Sequence, residues 1–346
     1  MTANFQSEKT RITLALIFAF LLTVSIREVR SSTSSAPDYP CIQSTSKDTL
    51  IEVSKGETGS SIAQKLFSRE VIKSSESFFR VAVSDARSAQ IAPGTHRIQI
   101  EICAKDALEQ LLDTKRIVGL VNIVEGAWLS EILPQMQKVG FEATELSNAL
   151  RAITKPNGFT SVEGLLFPAQ YSFAKETTAT SAFDSMISNA NVAMSKAGFF
   201  ESKSNFTPQQ LLIIASLLQA EGNTGDFGQI SRVIRNRLKI GMPLQFDSTV
   251  HYVKKSRGSV FLSTQSTLIN SPYNTYRRYG LPPGPINNPG LDAMRAALKP
   301  TPGDWLYFIT VAPFDTRFTS DIKQFNEWKT EYKKNLKAGK FRSSDD

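Results

Sequence analysis

Hydrophobic and polar positions change their period several times along this chain, and each change marks an element. Residues 12–26, ITLALIFAFLLTVSI, are apolar and uncharged between Arg11 and Arg27. A membrane span uses about 20 such residues, so the run is short, but flanking arginines can snorkel to the interface. A secretory signal has a similar apolar core, yet the following REVRSSTSSAPDYP offers no good small-x-small cleavage site. A buried soluble helix is the plainest alternative. The pattern favours a single-pass membrane anchor over residues 1–30, with the body outside the cytoplasm. Residues 31–48, rich in Ser, Thr and Pro, then read as a linker.

Regular patterning begins near Leu50. TLIEVSKGE alternates as a strand does and turns at Gly56. SSIAQKLF has helical spacing with a serine cap, and SESFFRVAVS makes a second helix. PGTHRIQIEI alternates from His96 to Ile102, and a short helix is predicted over 105–113. His96, at the start of that strand, reads as a surface residue. These elements make a small α+β module over residues 49–115. From Ile117, IVGLVNIVEG reads as one strand and LSEILPQMQKVG as the helix after it. A mostly helical stretch runs to residue 200, broken by SVEGLLFPAQYSF. After a Pro/Gly-rich segment over 271–290, residues 291–298 are helical and WLYFITV is a strand. A charged amphipathic helix over 320–337 closes a larger mixed α/β domain, 116–338, and residues 339–346 form a frayed tail. The fold class is α+β.

One stretch breaks its own pattern. LLIIASLLQAEGNTG, residues 211–225, is apolar except for a carboxylate, Glu221, in the last turn of a helix. Thr207 is a good N-cap, Pro208 suits the first helical position and Gln210 completes a capping box. Leu211, Ile214, Leu217 and Leu218 share a broad face with Ala215, and Glu221 projects from it. There it meets the negative end of the helix dipole, and burial further disfavours its charged form. Both effects raise its pKa toward the range a general acid needs near neutrality. The bland alternative is a frayed end pointing into water.

Two further segments carry polar residues that secondary structure does not call for. In PLQFDSTVHYV, Gln245, Asp247 and Thr249 share a face if the segment is extended. SPYNTYRRYGLPPGPINNPG combines tyrosines and asparagines with fixed turns, which suits sugar binding: rings stack on pyranose faces and amides bond hydroxyls and N-acetyl groups. A rigid surface loop has the same composition. Asp226 reads mainly as the N-cap of the next helix, and Asp247 as a possible turn residue.

Composition narrows the chemistry. The chain has 346 residues and 41% apolar content, enough for more than one core. Its formal charge of +8 is spread out, with no basic block that would mark a nucleic-acid arm. Only two histidines, His96 and His251, and two cysteines, Cys41 and Cys103, are present, and neither pair has metal-ligand spacing. No nucleophile motif or phosphate-binding glycine loop appears. The chemistry left is that of carboxylates, with no metal or cofactor called for. Cys41 and Cys103 bracket the small module, so a disulfide and a buried free Cys103 both stand as readings.

Taken together, IVEG, EGLLFPAQY, IASLLQAEG, VIRNRLKIGMPLQFDSTVHY, YNTYRRYGLPPGPINNPG and LYFI fall in the order and spacing of the endolytic murein transglycosylases, the YceG-like family. The resemblance covers about residues 50–335. It implies a membrane anchor and a LysM-like peptidoglycan-binding module (49–115) ahead of a catalytic domain (116–338). It also implies cleavage of nascent peptidoglycan glycan strands by one glutamate, which falls on Glu221, and peptidoglycan synthases as candidate partners. Gln245, Asp247, Tyr273 and Asn274 are the residues expected to position sugar. Four positions depart from the family: Gln219 replaces the first acid of a Glu-x-Glu motif, Ala169 replaces an aspartate, and Thr316–Arg317–Phe318 and Phe325–Asn326 lack two histidines. A hydrolase using Asp226 or Asp247 as second carboxylate, and a non-catalytic wall-binding scaffold, are the rival readings.

Overall fold

The computed structural model describes residues 36–41, 47–54, 56–174, 176–201, 203–257 and 263–341. The apolar run 12–26, and with it the expected anchor, lies outside the described residues. Among the described residues no helix is long and apolar enough to cross a membrane. The chain divides into two compact units between Val118 and Gly119.

In the first unit, β1 (Asp48–Val53) pairs antiparallel with β2 (Gly94–Gln99), with Ile51 opposite His96, and β3 (Ile117–Val118) joins the other edge of β2. Helices α1 (Gly59–Ser68) and α2 (Ser75–Ser84) lie between β1 and β2 in the chain, and α3 (Ala104–Leu112) follows. Thr58 caps α1, where the sequence points to a serine, and Ser74 caps α2. The core is built from Ile51, Leu66, Phe78, Ile98 and Leu108, all essentially inaccessible. His96 is not at the surface. It alternates with the exposed Arg97, so it shares the inward face of Ile98, and its Nε2 meets the Ala92 carbonyl at 2.8 Å. Burial lowers its pKa. Cys41 and Cys103 form a disulfide with Cα atoms 5.0 Å apart, so Cys103 is buried but not free. The nearby Asp38 carboxylate accepts from the Ala104 N–H that opens α3.

In the second unit, IVGLVNIVEG is not one strand. Gly119 (φ 66°) turns the chain, and β4 (Leu120–Asn122) pairs antiparallel with β5 (Gln170–Ser172) in a separate sheet. A Cβ at Gly119 would stand 2.1 Å from the Phe173 carbonyl oxygen, so only glycine fits. Helices α4 (Leu129–Lys138), α5 (Ala143–Ala152) and α6 (Ala179–Ala197) lead to α7 (Pro208–Glu221). Every residue from Leu211 to Leu218 is buried, so α7 is a central helix apolar on all sides rather than on one face. Around it come α8 (Phe227–Lys239), α9 (Asp247–Lys254), the short α10 (Thr264–Thr267) and α11 (Leu291–Leu298), which runs along α7 and also touches α6 and α8. A hairpin of β6 (Tyr307–Ala312) and β7 (Asp315–Thr319), followed by α12 (Ile322–Lys337), closes the unit. The α+β class stands: the described residues form helices with three small antiparallel sheets.

Candidate active site

Helix α7 starts as its sequence requires. Thr207 accepts from the Gln210 N–H, and Gln210 returns the bond to the Thr207 N–H at 2.9 Å. This fixes the frame that carries Glu221 at the other end. Part of Glu221 reaches solvent, but its carboxyl is enclosed, and burial raises its pKa to about 7. The Asp247 charge pushes in the same direction, while the Ser248 hydroxyl and N–H and the charge of Arg237 oppose it. The Ser248 hydroxyl donates directly to Glu221 Oε1. A carboxyl with these neighbours is held near the midpoint between acid and base at neutral pH.

Asp247 and Ser248 reach Glu221 because their segment is helical, not extended. Gln245, exposed and left-handed (φ 53°), turns the chain, and its N–H donates to the Thr275 carbonyl at 3.1 Å. Phe246 N–H donates to Thr275 Oγ1 at 2.9 Å, and α9 starts at Asp247. Thr249, placed by the extended reading beside Asp247, is buried instead, 3.0 Å from Thr275 Oγ1. Arg237 braces the turn: its guanidinium donates to the Leu244 carbonyl, and its Nε to the Leu306 carbonyl at 2.7 Å.

The tyrosine loop contributes a residue that the motif reading passed over. Tyr276 donates its hydroxyl to Asp247 Oδ1, and burial raises the Tyr276 pKa. Asn274 is wholly buried. Its amide donates to the Thr267 and Ile269 carbonyls at 3.0 and 2.8 Å, and its Oδ1 accepts from the Tyr276 N–H. Asn274 therefore shapes the loop that aims Tyr276, with no group left for sugar. Tyr273 is half-buried, its ring 5.2 Å from that of Tyr252. Asp226 stands at the N-cap of α8 but makes no side-chain cap bond; it accepts from the Thr316 hydroxyl at 2.8 Å, tying α8 to β7.

A second buried carboxyl, Glu163, gave no signal beyond its place in EGLLFPAQY. It accepts from the Leu129 N–H at 2.9 Å, from Asn288 Nδ2 at 3.1 Å and from the Tyr252 hydroxyl at 3.2 Å. Burial raises its pKa to about 7. These bonds fasten the start of α4 to α9.

Beside Glu221 lies a cleft of about 380 Å³, lined by Glu125, Trp128, Gln219, Ser248, His251 and Arg257 among others. Ser248 belongs to both, so the carboxyl sits at the cleft's edge. Arg257 lies over the Trp128 ring at 4.1 Å and binds Glu131. Two larger hollows, about 580 Å³ beside Arg235 and about 410 Å³ in the first unit, contain neither Glu221 nor its partners. Among the described residues, one His/Cys/Asp/Glu group is close enough to share a metal ion, Cys41, Cys103 and Asp106, and its two sulfurs are bonded to each other.

Among known proteins, the YceG-like family model matches residues 51–331. The chain is 31% identical over 317 residues to the endolytic murein transglycosylase of Bacillus subtilis (strain 168), across 84% of this chain and 87% of that protein. It is 38% identical over 153 residues to the endolytic murein transglycosylase of Streptococcus pneumoniae serotype 2. That second match takes in 43% of this chain and 28% of the relative. A crystal structure of a putative yceG-like protein from Listeria monocytogenes matches 82% of this chain and 99% of its own. Its TM-score is 0.53 at 24% identity, a likeness of fold.

Proposed function

We propose that this chain, which belongs to the YceG-like family, is a lytic murein transglycosylase with Glu221 as its single acid/base. The observation that carries the reading is the Glu221 carboxyl: enclosed, raised to about 7, bonded to Ser248 and set at the edge of a cleft. The bond cut is the β-1,4 link between N-acetylmuramic acid and N-acetylglucosamine. Protonated Glu221 gives its proton to the glycosidic oxygen as the bond to the muramic C1 breaks and positive charge builds there. The carboxylate so formed takes the proton of the muramic C6 hydroxyl, whose oxygen attacks C1. A 1,6-anhydro ring closes, Glu221 is protonated again, and no water is consumed. Hydrolysis by a pair of carboxylates would need a placed water or a covalent intermediate; internal attack needs neither. Asp247, held by Tyr276, supplies negative potential toward the developing charge and keeps Glu221 protonated.

The finer biology belongs to the same proposal. The first unit serves as a LysM-like module that holds glycan, with the apolar-walled hollow around Phe78 and Ile91 as its site. Residues 12–26 anchor the chain in the membrane with the catalytic unit outside, where cutting a growing strand ends its elongation beside the synthases. Finding the protein free of the membrane after cell fractionation would remove the anchor.

The decisive experiment is mass spectrometry of products released from purified glycan strands without added metal. Strands ending in 1,6-anhydro-N-acetylmuramic acid are expected; reducing ends would make the protein a hydrolase. Glu221→Gln should fold normally and lose about 10²–10⁴-fold in rate. If Glu221→Gln stays active, the assignment fails; binding without any cutting by the wild type points to a scaffold.

A further inference from the structure

The cleft beside Glu221 contains polar groups that the mechanism does not use. Asn287 is 2% exposed, and its Nδ2 donates to the Ser216 carbonyl at 2.8 Å. A carbonyl only accepts, so the amide cannot be turned over, and Oδ1 is the atom left to accept from elsewhere. That oxygen is buried and takes no hydrogen bond among the described residues, and Asn287 is one of the residues that line the cleft. An unpartnered buried acceptor is costly, and a ligand donor would remove that cost.

Gln219 supplies the complement. Its Oε1 accepts from the Gly290 N–H at 3.0 Å, which fixes this amide the opposite way and leaves Nε2 as a donor with no hydrogen bond among the described residues. Gln219 also lines the cleft. It is the position where the familiar family motif has a carboxylate, so this chain presents a donor where an acid offers only acceptors. Along α7, Ser216, Gln219 and Glu221 follow one another: about 4.5 Å of rise separates the first two and about 3 Å the last two. The cleft thus offers an acceptor on Asn287 and a donor on Gln219, beside the end of the helix that carries Glu221.

A 2-acetamido group has the matching pair, one N–H and one carbonyl oxygen. We infer that Asn287 and Gln219 together bind the acetamido group of a sugar next to the cleaved bond, Asn287 Oδ1 accepting its N–H and Gln219 Nε2 donating to its carbonyl. The two residues are positioning groups that select N-acetylated strands over N-deacetylated ones. The inference rests on the glycan reading above.

The test crosses protein and substrate. Wild type, Asn287→Ala and Gln219→Met, as full chains, are assayed on N-acetylated strands and on the same strands chemically N-deacetylated. Wild type should favour acetylated strands at least about 10-fold in kcat/KM, the effect of roughly one hydrogen bond to a buried group. Each substitution should lower kcat/KM on acetylated strands about 10–100-fold and shrink the preference toward one. A purely structural role lowers both substrates alike and keeps the preference; that result, or no preference in wild type, overturns the inference. Gln219→Met decides the matter if Asn287→Ala does not fold. Calorimetry of β-1,4 N-acetylglucosamine pentamer against its deacetylated form separates the two layers. A binding preference lost in the variants, in a protein that cuts nothing, removes the catalytic proposal and leaves this one. Active protein whose preference survives both substitutions removes this one alone.

Discussion

Ser248→Ala removes the hydroxyl that donates to the Glu221 carboxylate and leaves the bond from the Ser248 backbone N–H in place. Burial and the Asp247 charge hold Glu221 at about 7 against the pull of Ser248 and Arg237, so weakening that pull must raise the pKa further. A hydrogen bond to a charged group contributes about 1.5–3 kcal/mol. The neutral carboxyl keeps part of that bond, so the difference between protonation states is about 1.4 kcal/mol, or about one pKa unit. A general acid works only while protonated, so its pKa sets the basic limb of the rate profile. Ser248→Ala should therefore move that limb from about 7 to about 8. Asp247→Asn removes a like charge, keeps an oxygen for Tyr276 to donate to, and should move the same limb downward. The assay is kcat/KM for anhydro-end release on defined strands between roughly pH 5 and pH 9, a range set by the free-enzyme pKa. A limb that stays put in Ser248→Ala, or moves the same way in both variants, would refute Glu221 as the titrating acid.

Glu221 and Glu163 are both raised from 4.5 to about 7 by burial. The unfolded chain releases these protons near 4.5 while the folded chain keeps them, so stability is fullest below that value. It falls as pH rises toward 7, by up to about 3 kcal/mol per carboxyl. Denaturant titrations at the two ends of this window should show the loss, and Glu163→Gln should flatten its share; a wild type that gains stability across the window contradicts the assignment. The Cys41–Cys103 bridge closes a separation of 62 residues. Loop entropy then gives about 4 kcal/mol, so reductant should lower the melting temperature of the first unit, and unchanged melting would show that the bridge contributes nothing.

The start of α7 was legible because its determinants are local: Thr207, Pro208 and Gln210 meet within one turn. Glu221 stands out in the sequence because a carboxylate ending so apolar a helix has few structural reasons to be there. His96 shows how a correct period can still mislead. Alternation along β2 puts it on the same face as Ile98, and only the polarity of its ring argued for the surface. In PLQFDSTVHYV the window itself is ambiguous, since Phe246 and Val250 suit a helix as well as alternation suits a strand. What decides is Thr275, whose carbonyl and hydroxyl catch the N–H groups of Gln245 and Phe246 from a distant loop. The same loop decides which tyrosine touches Asp247: Asn274 bonds the Tyr276 N–H, and Tyr276, not Tyr273, reaches Asp247. Glu163 takes its hydrogen bonds from Leu129, Asn288 and Tyr252, which no periodicity links to it. Hydrophobic period reports which face is buried, whereas a polar tie across the fold leaves no period to read. Glu221 shows both halves at once. Its own helix places the carboxyl, but Ser248 and Asp247, from another helix, set how tightly it holds its proton.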